Sequence, residues 1–201
     1  MRKKILLVGA SGTLGKAVAA HLRQRHEVVT ASRSDATHPV DLGDESSVSA
    51  LLHAAGPFDA IVSTTGNVHF GPLTQMTAAQ FNQGLQDKLL GQVRLALLGQ
   101  HHLNDGGSIT LTSGILAEQP IAQGANATAV NAAVEGFVRA AALELPRGLR
   151  INVVSPSVLA EALDAYGDFF PGFEPVTAAR AALAYQRSID GIANGQVFKV
   201  W

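Results

Sequence analysis

Cysteine is absent from this 201-residue chain, which excludes a disulfide scaffold, a thiolate metal site and a cysteine nucleophile. Charge is sparse too. Asp, Glu, Lys and Arg make up 15% of the residues and nearly cancel to a net −1, so there is no basic field to hold nucleic acid or an anionic membrane. No apolar run approaches the ~20 residues that a bilayer span needs. The start, Met1-Arg-Lys-Lys and then Ile5-Leu-Leu-Val8, has the order of a secretory leader, but Gly9, Ser11, Gly12 and Gly15 cut the apolar run short of an h-region. Apolar residues, at 47%, are plentiful enough for one large core. The expectation is one cytoplasmic domain over residues 1–201, acting on a small-molecule substrate, with neither nucleic acid nor membrane as partner.

Hydrophobic periodicity alternates between strand and helix along the chain. Ile5–Val8 is a continuous apolar run, as expected of a strand buried on both faces of a parallel sheet. Leu14, Val18, Ala19 and Leu22 then recur at helical spacing, and Glu27–Ala31 is a second strand, completing a right-handed βαβ crossover. Further strands are expected near His38–Leu42 and at Asp59–Val62, Ser108–Thr112, Leu149–Val154 and Gln196–Val200. Helices are expected at Glu45–Ala55 (capped by Asp44), 78–102, 126–145 and 178–188, the second leading through Asp105-Gly-Gly107 into the Ser108 strand. The pattern predicts an α/β fold, a doubly wound (Rossmann) parallel sheet of about seven strands with helices on both faces.

Gly9-Ala-Ser-Gly12-Thr-Leu-Gly15 sits between the first strand and the first helix. Glycine at 9 allows the tight turn, at 12 lets backbone approach a pyrophosphate, and at 15 lets the helix close on the sheet. The N–H groups of Ser11, Gly12, Thr13 and Leu14 would meet the anion. A P-loop would need Gly at Ala10 and Ser or Thr at Ala17, and fails at both. The second strand runs into Ser32, Arg33 and Ser34, where an NAD site would carry an acid. A guanidinium flanked by hydroxyls suits a 2′-phosphate, which favours NADP(H) over NAD(H), with Asp35 as the alternative ribose partner.

The turn Gly9–Gly15, the phrase Thr110-Leu-Thr-Ser-Gly114, the stretch Asn131-Ala-Ala-Val-Glu-Gly-Phe137 and Ile151-Asn-Val-Val-Ser-Pro156 together resemble the short-chain dehydrogenase/reductase family over nearly the whole chain. The resemblance implies hydride transfer between a nicotinamide cofactor and a small carbonyl or alcohol. It matches Ser113 to the family's catalytic serine and Asp41, followed by Leu42, to the acid that contacts adenine. Ser63-Thr64-Thr65-Gly66 falls where the family has Asn-Asn-Ala-Gly. Pro156, with Val158 beyond it, falls beside the nicotinamide. The matching long helices of relatives form a four-helix interface, which implies a homodimer or homotetramer.

The family's Tyr-x-x-x-Lys pair falls on Ala127 and Asn131, so the phenol and its lysine are both missing. In the family's Asn-x-x-Gly phrase, here Lys88-Leu-Leu-Gly91, lysine stands in place of asparagine. The exchange moves a positive charge across the site. Lys88 becomes the candidate to hold the ribose and supply a proton, with Asn131 and Ser113 as candidate oxygen-binding groups. No Gly-x-Ser-x-Gly elbow surrounds Ser113, which argues against a hydrolase. The specific phrases at 131–137 and 151–156 argue against a methyltransferase or nucleotide-sugar enzyme on a similar sheet. Two readings remain: an NADP(H)-dependent oxidoreductase with a non-standard site, and an NADP(H)-binding sensor that has lost catalysis. The aromatic stretch Tyr166–Phe173 is expected to form a lid over an apolar substrate.

Overall fold

Side chains alternate across β1 (Lys4–Val8), and that alternation organises both cores. Ile5 and Leu7 point to one face, where they pack with α1 (Thr13–Leu22) and α7 (Ala178–Asp190); Leu6 and Val8 point to the other, into a larger cluster. That cluster takes residues from α2 (Glu45–Ala55), α4 (Gly91–Gly99) and α5 (Ala125–Glu144). A strand buried on both faces must be apolar throughout, which is why Ile5–Val8 reads as an unbroken run.

The computed structural model describes residues 1–34 and 37–201; Asp35 lies outside the described residues. Seven parallel strands form one sheet in the order β3-β2-β1-β4-β5-β6-β7. They are β1, β2 (Glu27–Ser32), β3 (His38–Pro39), β4 (Phe58–Ser63), β5 (Leu103–Thr112), β6 (Arg150–Pro156) and β7 (Val197–Val200). The order reverses between β1 and β4, and the crevice beyond the carboxyl ends of those strands is where open α/β sheets take their ligands. No helix among the described residues is long and apolar enough to cross a membrane.

Several boundaries differ from the sequence expectation for identifiable reasons. Asp105–Gly107, expected to precede the strand at Ser108, is an irregularity inside β5: Leu103 pairs with Phe58 and Ser108 with Ala60, with Gly106 at φ +72° between them. The helix expected over 78–102 is helical throughout but not uniform. It comprises α3 (Ala78–Gly84), a π-helical turn over Leu85–Leu90, α4 and a short 3-10 turn at Gln100–His102. The segment after β6 carries a one-turn helix, α6 (Leu163–Tyr166). Asp44 caps α2 as expected, its carboxylate accepting from Ser46 N at 2.9 Å.

Candidate active site

The glycine turn closes tightly because one position lacks a side chain. A Cβ on Gly15 would lie 2.1 Å from the carbonyl oxygen of Gly9, so only glycine lets α1 start so close to the end of β1. Thr64 ties this turn to β4, its hydroxyl donating to the carbonyls of Val8 and Gly9 at 3.2 Å each. The turn, the end of β2 and the end of β4 enclose a crevice of about 260 Å³.

Gly9, Ser11, Gly12, Ser32, Arg33, Ser34, Asp41, Leu42, Thr64, Thr65 and Gly66 all line that crevice. Arg33 and Ser34 are exposed at its rim, while Ser32 is buried. Asp41 folds its carboxylate back to accept from Gly43 N at 2.8 Å, which shapes the loop between β3 and α2. Thr13 and Leu14 are the first residues of α1, Leu14 packing into the core beside Val18. Val40, Gly43, Asn67 and Asp87 also line the crevice and carried no signal in the sequence reading. Asn67, on the loop after β4, and Asp87, in the π-helical turn, are bonded to each other at 3.1 Å, a pairing without a sequence pattern.

A second group of residues meets the crevice at Gly66. Gly66 has φ +116°, and a Cβ there would lie 2.5 Å from the Cα, Cβ and Cγ of Lys88, so the loop after β4 rests directly on the lysine. Lys88 reaches over β5, and Nζ donates to the Ser113 carbonyl at 3.2 Å. Burial pushes its pKa down to about 8. Gly66→Ala is therefore expected to cost about 1–3 kcal/mol and to displace Lys88, a loss readable as a lower denaturant midpoint together with weaker nucleotide binding.

Ser113 sits at the end of β5 and is 2% exposed, but its hydroxyl faces into the fold and donates to Glu135 Oε1 at 2.9 Å. Glu135 is itself buried and takes an i,i+4 contact from Arg139 at 3.2 Å. It was missed in the sequence because a glutamate within an Ala-rich helix reads as a solvated face. One turn earlier on α5, Asn131 is 3% exposed, and its Oδ1 has no hydrogen-bond partner among the described residues. Gly114 lies against this side chain: a Cβ there would be 3.2 Å from Asn131 Nδ2 and 3.7 Å from the Pro156 carbonyl. Lys88 and the carbonyl of Ser113 thus stand together, with Asn131, Gly114 and Pro156 adjoining, whereas the Ser113 hydroxyl is committed elsewhere. Val158 is buried just past β6, where its carbonyl accepts from Val176 N at 3.0 Å.

Of the two tyrosines, Tyr185 is fully buried. Its hydroxyl is 2.6 Å from that of Thr112 and its pKa is raised by burial, so it belongs to the core. Tyr166 and Phe169 pack on Phe70, with ring centroids 5.8 and 4.9 Å away, and Phe170 stacks edgewise on Phe173 at 5.4 Å. Phe70, Phe170 and Phe173 pack around Ile115, Leu116 and Ala127, so the segment after β6 covers Ala127. Asn126 anchors this corner, accepting from His69 N at 2.9 Å and donating to the Phe81 carbonyl at 2.7 Å.

A family model described as enoyl-(acyl carrier protein) reductase matches residues 8–198. The chain belongs to the short-chain dehydrogenase/reductase family. Versicolorin reductase stcU of Emericella nidulans is 27% identical over 182 residues, covering 78% of this chain and 69% of that protein. Hydroxynaphthalene reductase arp2 of Aspergillus fumigatus is 30% identical over 56% of this chain, and the match spans only 42% of its own length. Among solved structures, the protein lin1944 from Listeria innocua is 47% identical with a TM-score of 0.96, covering 98% of this chain and 99% of that one. A small-chain dehydrogenase in complex with NADPH is 28% identical with a TM-score of 0.88, covering 100% of this chain and 97% of that one.

Proposed function

We propose that the chain is an NADP(H)-dependent oxidoreductase that moves hydride to or from a small carbonyl or alcohol, with Lys88 in place of the family's usual proton donor. The observation that carries this reading is the continuity of the crevice with Lys88 through Gly66. The residues present fit a dinucleotide: the tight turn that Gly15 permits leaves Gly9, Ser11 and Gly12 lining the crevice, and the buried Asn131 Oδ1, unpartnered among the described residues, is an acceptor suited to a ribose hydroxyl. The NADPH complex of a structural neighbour supports the same cofactor.

In this reading the N–H groups of Ser11, Gly12, Thr13 and Leu14 hold the pyrophosphate. Arg33, with Ser32 and Ser34, takes the 2′-phosphate, and Asp41 and Leu42 flank the adenine. Thr64, Thr65 and Gly66 line the path to the nicotinamide end, with Pro156 and Val158 on its far side. The cofactor, when bound, supplies the hydride. Lys88 holds its proton through Ser113 O and is placed to give it to the substrate oxygen, while Asn131 orients the ribose. Ser113 contributes its carbonyl, because its hydroxyl is bonded to Glu135.

A second reading, an NADP(H)-binding sensor without turnover, is favoured by the same Ser113–Glu135 bond, which commits that hydroxyl, and by alanine at position 127, which offers none. Calorimetry with NADPH and NADH, followed by NADPH oxidation against a panel of aldehydes and ketones, separates the two. Binding of NADPH with turnover is the expected result. Binding without turnover of any carbonyl selects the sensor, and no heat with either nucleotide overturns both.

A further inference from the structure

Gln92 is fully buried on the first turn of α4, yet it is a long polar side chain whose amide must be satisfied inside the fold. Three hydrogen bonds satisfy it. Nε2 donates to the Thr112 carbonyl at 2.9 Å, Thr112 N donates back to Oε1 at 2.9 Å, and Nε2 also donates to the carbonyl of Lys88 at 3.0 Å. Thr112 needs this partner because β4 ends at Ser63, leaving the last residue of β5 without a strand on that side. The side-chain amide thus completes the sheet edge as a further strand would.

The third bond falls on the π-helical turn Leu85–Leu90, which holds Lys88. A π turn displaces the backbone register and is retained where a side chain must be aimed or a carbonyl re-satisfied. Here the same amide grips the Lys88 backbone and the Thr112 backbone, one residue before the Ser113 carbonyl that Lys88 Nζ contacts at 3.2 Å. Both ends of the lysine are referred to one stretch of β5. The nearby carboxylates do not compete for the ammonium: Asp87 turns to Asn67 and Glu135 to Ser113 and Arg139.

We infer that Gln92 is the positioning residue of this site, a buried amide that locks the π turn to the end of β5 and so holds Lys88 in place beside the crevice. Its relevance to catalysis rests on the role proposed for Lys88, but the clamp itself is testable without turnover. Full-length protein labelled with [¹³C]lysine is titrated by NMR at the lysine Cε, with the Lys88 resonance assigned by its loss in Lys88→Arg. Native Lys88 is expected to titrate near 8. Gln92→Met, which keeps volume and loses all three bonds, is expected to raise the midpoint by at least about one unit toward the ordinary lysine value, as water reaches the ammonium, and to weaken NADPH binding about tenfold.

Leu95→Val, a buried change on the same helix, is the control for general loosening and is expected to leave the midpoint in place. A folded Gln92→Met protein with the native midpoint overturns the inference, as does an equal shift in Leu95→Val. If Gln92→Met fails to fold, Gln92→Asn decides: its amide is one methylene too short to span Thr112 and Lys88, so an unchanged midpoint is equally fatal. Should Lys88→Ala leave nucleotide binding and turnover untouched, the proposed function of the lysine falls, while the Gln92 titration still decides the clamp.

Discussion

Lys88→Ala is expected to lower the turnover of NADPH-dependent carbonyl reduction by about 10²- to 10⁴-fold, the usual contribution of a positioned general acid. The physical reason lies in the local environment of the ammonium. It is held against Gly66, it donates to a single backbone carbonyl, and burial brings its pKa to about 8, so the proton is transferable near neutrality. The sign of the pH dependence follows. Below about 8 Lys88 carries its proton and reduction proceeds at its plateau. Above that value the acid form is lost, and reduction is expected to fall tenfold per pH unit, while alcohol oxidation, which needs the neutral amine as base, rises through the same interval. Steady-state rates from pH 6 to 10 check this, and a reduction profile that stays level through pH 9 would remove Lys88 as the acid.

Arg33→Ala is expected to weaken NADPH binding by roughly 3 kcal/mol, or about 150-fold, while leaving NADH binding within a factor of two or three. Two charge-assisted hydrogen bonds from a guanidinium to a phosphate carry about 1.5–3 kcal/mol each, and only the phosphorylated dinucleotide can make them. Arg33 stands exposed at the rim of the crevice, next to Ser34 and following buried Ser32. Its removal therefore leaves the packed core untouched and isolates the recognition term. Parallel calorimetric titrations of both nucleotides measure it; equal losses for NADPH and NADH would place the 2′-phosphate elsewhere.

Much of the crevice was legible in the chain because it is built from short, contiguous phrases. The glycines at 9, 12 and 15 follow a strand and open a helix, and backbone geometry alone dictates that residues at such a turn face the strand ends. The same holds for Ser32–Ser34 and Thr64–Gly66, each the exit of a strand in a parallel sheet. The Asn131 and Lys88 exchange was visible as a departure from the family phrases, since each lies in a recognisable local pattern.

The direction of the Ser113 hydroxyl was not legible. Ser113 and Gly114 both lie against α5 just past the end of β5, so a shift of one helical turn decides whether the hydroxyl meets Glu135 or Asn131. Glu135 looked like a solvated helix residue, yet it is buried and its carboxylate is met by a hydroxyl from 22 positions away. Gln92 looked equally ordinary.

The order of strands and helices, the two apolar faces and the glycine cradle follow from periodicity and local sterics, which act over a few residues and so are written in the chain itself. Which buried polar atoms are satisfied, and which, Asn131 Oδ1 among them, are left unpartnered among the described residues, depended on elements far apart in sequence coming within hydrogen-bond reach. Local patterning chooses the elements. Only their packing could bring Gly66 against Lys88, lower the proton affinity of that lysine and turn the Ser113 carbonyl, rather than its hydroxyl, toward it.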